Sequence, residues 1–226
     1  MNILALDCAV TRISLAVKTE NKFISATYDI GMRQSEILVP SIDELLKKAD
    51  ITPSELNATC LTIGPGSFTG LRLGISALKA IELAYGVPVY GISSLAAYAY
   101  PYENLDLPVI SCIDANKDKF YCRITDNGKT LLEDGDWEVE KIAEAAKELD
   151  KALICGPDCA KLAEVLAAAL PQKKYLLPAS PAMTAESLIL ITEKMIENGS
   201  QPLKDFDGPV YLRASEAELK LNGTIS

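Results

Sequence analysis

The 226-residue chain contains no histidine. That absence removes Ser-His-Asp and Cys-His catalysis, H-E-x-x-H metal sites and every imidazole base. None of its six cysteines (Cys8, Cys60, Cys112, Cys122, Cys155, Cys159) forms a C-x-x-C pair, so the convergent thiolates of a zinc or redox site are missing too. Most lie in apolar runs such as Val109–Ile113, where a free cysteine acts as a small hydrophobe. No window reaches the roughly 20 uninterrupted apolar residues of a membrane span. The opening Met1–Asp7 has neither the basic flank nor the cleavage site of a secretory signal. There is no basic stripe; the densest cationic pairs are Lys47-Lys48 and Lys173-Lys174, against a formal net charge of -9. A surface of that sign repels phosphate backbones and argues against broad direct contact with nucleic acid. These absences predict a cytoplasmic protein with no membrane contact and no metal.

What is present is an ordinary globular composition, 49 % hydrophobic and 23 % charged, with enough length for two lobes. The pattern of elements repeats. The first unit reads as strands Ile3–Asp7, Arg12–Lys18 and Lys22–Tyr28, helix Ser35–Ala49, strand Thr59–Ile63, helix Thr69–Tyr85, strand Val87–Ile92 and helix Ser94–Tyr100. The second reads as strands Val109–Asp114, Lys119–Thr125 and Lys129–Leu132, helix Val139–Leu149, strand Ala152–Cys155, helix Asp158–Leu170, strand Lys173–Leu177 and helix Thr184–Asn198. Asp7 and Asp114 both close a first strand, 107 positions apart, and at that offset turn Asn21-Lys22 falls on Gly128-Lys129. The order β-β-β-α-β-α-β-α, used twice, predicts the duplicated α/β fold of actin, sugar kinases and heat-shock ATPases, with lobes at 1–104 and 105–226.

Active ATPases of that fold place a carboxylate at the end of the first strand of each lobe, and Asp7 and Asp114 occupy those positions. They also need glycine-rich hairpins, because only backbone without a Cβ approaches phosphate oxygens closely. Here the hairpins read Asp7-Cys8-Ala9-Val10-Thr11-Arg12 and Asp114-Ala115-Asn116-Lys117-Asp118, with no glycine. Asp7, Thr11 and Asp114 are therefore candidates for a vestigial nucleotide site, with turn capping as their structural alternative. A small actin-fold ATPase or kinase using Asp7 and Asp114 is the competing function. A peptidase has no histidine to use, and Ser67 no visible base.

Glycine is concentrated elsewhere, in Gly64-Pro65-Gly66-Ser67-Phe68-Thr69-Gly70-Leu71-Arg72. The run follows a strand and opens a helix, so its N–H groups could receive an anion, or it could be a tight turn with Thr69 as N-cap. It lacks the Gly-Lys-Ser/Thr ending of a phosphate-binding P-loop. The helix behind it carries Leu71, Leu73, Ile75, Leu78, Ile81, Leu83 and Tyr85, interleaved with Gly74, Ser76, Ala77, Ala80 and Ala84. A helix apolar on nearly all sides needs cover on both: the sheet on one side, and a partner protein or the chain's own loops on the other.

The eleven residues Gly64–Gly74 closely resemble the signature of the TsaB (YeaZ) family. The resemblance extends to Ile3–Asp7, to Gln34-Ser35-Glu36 with its helix, to Val89–Leu95, to Asp114-Ala115 and to Pro209-Val210-Tyr211-Leu212-Arg213. Gln34 stands where the family often has histidine. The resemblance implies a non-catalytic partner of TsaD, the paralogue that transfers threonylcarbamoyl to adenosine in tRNA and holds metal through two histidines. It implies TsaE as a further partner, a homodimer when TsaD is absent, only indirect contact with tRNA, and no intrinsic cofactor, ATP or ADP being confined to a subunit junction. It also implies that the two early helices form the contact, which nominates Leu38, Ile42, Leu45, Leu71, Ile75 and Leu78, with Gly64, Gly66, Ser67, Thr69 and Gly70 as the signature loop.

Overall fold

The computed structural model describes residues 1–31, 33–180 and 184–213; the rest of the expected second lobe lies outside them. Among the described residues, ten strands and six α-helices follow in the expected order. β1 (Ile3–Asp7), β2 (Arg12–Lys18) and β3 (Phe23–Asp29) form a meander. α1 (Gln34–Ala49), β4 (Ala58–Gly64), α2 (Phe68–Tyr85), β5 (Val89–Ser93) and α3 (Ser94–Ala99) complete the first unit. β6 (Val109–Asn116), β7 (Lys119–Asp126) and β8 (Lys129–Glu138) repeat the meander. α4 (Val139–Ala146), β9 (Lys151–Cys155), α5 (Cys159–Ala169), β10 (Lys174–Leu176) and α6 (Thr184–Glu197) complete the second.

The two sheets have one topology. Their orders are β3-β2-β1-β4-β5 and β8-β7-β6-β9-β10, antiparallel through each meander and parallel beyond it. This is the duplicated actin-like fold. β1 is buried along its whole length because it is covered on both faces. Leu4 and Leu6 join the core under α1 and α2, and Ile3 and Ala5 join Ala185, Leu188 and Ile189 of α6 on the other side. In the second sheet, Ile110, Cys112 and Ile124 face α4 and α5, whereas Val109 and Ile113 pack with Leu95, Tyr98 and Ala99 of α3. α3 and α6 thus form a shared middle layer. α6 ends the second unit in sequence but packs on β1, β2 and β4 of the first, so a cut at 104/105 does not divide the packing.

β8 runs to Glu138, six residues beyond the expected Leu132. Glu133-Asp134-Gly135-Asp136 has the composition of a turn. Cross-strand partners override it, with Tyr121 opposite Asp136 and Phe120 opposite Trp137. Asp134 is neutralised by Arg123 at 3.1 Å and Asp136 by Arg213 at 2.7 Å. All six cysteines are free thiols and five are buried; burial pushes Cys60 up to about 12. Among the described residues there is no group of three or more potential metal ligands, and no helix is long and apolar enough to cross a membrane.

Leu78 is fully buried in the first core, whereas Leu83, on the same helix, is 90 % exposed. Leu78→Ala is expected to cost about 2–5 kcal/mol in denaturant unfolding, and Leu83→Ala less than about 0.5 kcal/mol.

Candidate functional site

The hairpin joining β1 to β2 is organised by Asp7, which is 2 % exposed. Its carboxylate accepts hydrogen bonds from the Ala9 N–H (2.9 Å), the Thr62 hydroxyl (2.8 Å) and the Tyr98 hydroxyl (3.4 Å), with the Thr184 hydroxyl close enough to add a fourth. Burial pushes the carboxyl above its ordinary 3.8, against the pull of those donors. Asp7 lies beneath the hairpin and does not line the space between the lobes.

That space is a cleft of about 630 Å³ bounded by Ala9–Arg12, Gly66 and Ser67 on one side and by Ile113–Asn116, Asp158 and Arg213 on the other. Thr11 and Asp114 do reach it. Asp114 accepts from the Asn116 N–H at 2.9 Å and from the Lys161 ammonium at 2.5 Å. Partial burial opposes its ionisation, but these donors prevail and hold the carboxyl below its ordinary value. The Asp114 N–H is itself taken by Asp158 at 2.8 Å. Both aspartates therefore act as turn-capping groups, Asp7 hidden and Asp114 ion-paired.

The signature loop packs against the first hairpin. The Ser67 N–H donates to the Ala9 carbonyl at 2.6 Å. A Cβ on Gly66 would lie 2.3 Å from that oxygen, and one on Gly70 2.1 Å from the Cys8 carbonyl. Gly64, at φ +122°, would place a Cβ 2.4 Å from the Val210 carbonyl. The room these glycines leave is filled by the chain's own backbone, so the residues present do not fit a phosphate cradle. Thr69 is not the N-cap as expected. α2 starts one residue earlier, at Phe68, and the Ser67 hydroxyl caps it by accepting from the Gly70 N–H at 3.2 Å. Gln34 also serves this junction, donating from its amide to the Val10 carbonyl.

The six nominated interface residues need correction. Leu38, Ile42, Leu45, Leu71, Ile75 and Leu78 are all buried, at most 8 % exposed, because they are the sheet-facing stripes of α1 and α2. They cannot meet a partner without unfolding. On α2, Thr69, Arg72, Ser76, Ala80, Leu83, Ala84 and Tyr85 are exposed, with Leu73 half-buried; α1 contributes Val39, 61 % exposed, and Pro40. The stripe with the strongest periodicity is the one a helix turns toward its own sheet. The apolar residues outside that stripe, Val39, Leu83 and Tyr85, are the ones left exposed. Arg213 was legible only as part of the Pro209–Arg213 match; its pairing with Asp136 was not.

A family model described as TsaD, tRNA N6-adenosine threonylcarbamoyltransferase, matches residues 31–217. The chain belongs to the TsaD/TsaB family. It is 27 % identical to the tRNA threonylcarbamoyladenosine biosynthesis protein TsaB of Bacillus subtilis, over 97 % of each chain. The Escherichia coli TsaB is 26 % identical over 99 % of each. The threonylcarbamoyltransferase of Bacillus subtilis is 28 % identical over only 45 % of this chain and 30 % of its own length. The end-to-end likeness is therefore to the TsaB branch. A solved structure from Pseudomonas aeruginosa, described as similar to peptidase YEAZ, superposes with TM-score 0.77 at 27 % identity, covering 94 % of this chain and 99 % of its own.

Gly70→Ala, driving a methyl into the Cys8 carbonyl, is expected to destabilise by about 1–3 kcal/mol, read as a lower denaturant midpoint. Because the folded-state pKa of Asp7 is raised, folded protein holds its proton more tightly than unfolded protein does. The stability this contributes is full below 3.8 and is lost as pH rises through the raised value. Asp7→Asn should therefore gain on wild type as pH rises from 4 to 7, in midpoints measured at each pH.

Proposed function

We propose that the chain is a TsaB-type partner subunit of a TsaD-containing complex that installs threonylcarbamoyl on tRNA adenosine, and that it does no chemistry itself. The observation that carries this is the end-to-end match to TsaB proteins, beside only partial coverage of the transferase. The inert role is supported by the buried Asp7, the ion-paired Asp114 and the signature glycines filled by backbone, which together leave an actin-fold ATPase without its phosphate contacts.

In this reading the docking surface is the outer face of α2 with the exposed edge of α1: Val39, Leu73, Ser76, Ala80 and Leu83. Small residues let a partner helix approach closely, and Leu83, 90 % exposed, supplies an apolar anchor. The same face serves a homodimer when TsaD is absent. Docking biases TsaD toward its competent conformation, which requires tighter binding to that state than to the others. TsaE joins the pair, ATP or ADP sits at a subunit junction rather than in this chain, and tRNA is met only through TsaD, in keeping with the net charge of -9. The complex works in the cytoplasm.

The test is a calorimetric titration against the same organism's TsaD. Leu83→Glu and Ala80→Glu should melt like wild type yet bind about tenfold or more weakly, a carboxylate having entered an apolar contact. Leu78→Glu should unfold the chain and is the wrong probe. Wild-type affinity in both surface variants would remove this face; no binding of the wild type to folded TsaD would remove the partner role.

A further inference from the structure

After α6 the chain reverses at Gly199 and runs back along α2 as an extended strap. As far as Tyr211 it is pinned to the first lobe. The Leu203 N–H donates to the Val89 carbonyl at 2.7 Å, and the Leu203 side chain fills the space beside Gly91. The Lys79 ammonium holds the Lys204 carbonyl at 2.9 Å, and the Val210 N–H donates to the Ile63 carbonyl at 2.7 Å. Tyr211 then stacks on Phe68 with centroids 4.7 Å apart, and its hydroxyl accepts from the Arg72 Nε at 2.9 Å.

Two residues later the strap crosses to the other lobe. Arg213 donates from Nε and Nη2 to the two Asp136 oxygens, at 2.7 and 2.9 Å, and from Nη1 to the Ala115 carbonyl at 2.8 Å. Asp136 is on β8 and Ala115 is in the second hairpin, so one guanidinium grips two elements of the second sheet. Both ion-pair partners are half-buried, and a two-pronged guanidinium–carboxylate contact fixes orientation as well as distance. Arg213 also forms part of the cleft wall, facing the first hairpin and Ser67.

We propose that residues 199–213 form an interlobe latch. The strap is anchored along α2 and the edge of the first sheet, and the Arg213 fork closes on Asp136 and Ala115 to set the width of the cleft. Tyr211 ties the latch to Phe68 and Arg72 in the first turn of α2. A displacement of that turn therefore pulls on Arg213, and the outer face of α2 and the cleft move as one. All of these contacts lie within this chain, and the latch needs no partner.

The test is hydrogen exchange on the full chain alone, read by mass spectrometry across peptides covering both hairpins. Arg213→Gln should speed exchange of the Asp114, Asn116 and Ser67 N–H groups by about three- to tenfold, the partly exposed ion pair being weaker than a buried one. Those of β1 should keep wild-type rates. Asp136→Asn should reproduce the effect, and Arg213→Lys, retaining charge without the fork, should fall between. Faster exchange confined to residues 199–213, with the cleft N–H groups unchanged, would reduce the strap to an ornament of the first lobe. Should Arg213→Gln not fold, the same comparison rests on Arg213→Lys and Asp136→Asn.

Discussion

The contact on which the site depends is one between backbones. The first turn of α2 lies so close to the hairpin after β1 that residues 66 and 70 have no room for a side chain. The Ser67 N–H is spent on the Ala9 carbonyl, and the Ser67 hydroxyl on the helix it caps. In an ATPase of this fold, glycines next to that hairpin would leave a gap for phosphate oxygens. Here the glycines let two pieces of the chain approach until backbone fills the space between them. What looks in sequence like a nucleotide loop is a joint, and it fixes where α2 begins and which of its faces turns outward.

Beneath the joint, Asp7 extends the same logic inward. Donors from β4, α3 and α6 converge on one carboxylate, so the residue best placed for catalysis instead ties together the elements of the middle layer. That arrangement carries an electrostatic cost, visible in the raised pKa. It persists because four donors would otherwise be stranded in the interior.

Fold was legible because duplication left two copies of one element order, and each copy checked the other. Asp7 with Asp114, and the matching second turns, held the register despite thin identity between the halves. The limits of legibility were physical. β8 was cut short because Asp134 and Asp136 carry turn chemistry until Arg123 and Arg213 neutralise them, and Arg213 is 77 positions away from its partner. The nominated contact residues are buried because hydrophobic periodicity reports the inward stripe of a helix, which in α1 and α2 is occupied by Leu38, Leu45, Leu71 and Leu78. An outward surface shows instead as apolar residues left over from that stripe. Ser67 rather than Thr69 capped α2 because the tight approach to Ala9 decided where helical geometry could start.

The exchange of covering helices bears on how this protein is made. The first sheet is fully translated once Ser93 has left the ribosome, yet Ile3, Ala5, Ala58 and Cys60 remain bare on one face until Ala185, Leu188 and Ile189 follow. Strands usually able to collapse domain by domain during synthesis must here wait for nearly the whole chain. Until then the nascent first half is a sheet without the α6 side chains that cover one of its faces. A gene fragment ending between the lobes would encode a sheet missing the α6 layer rather than a half-sized domain.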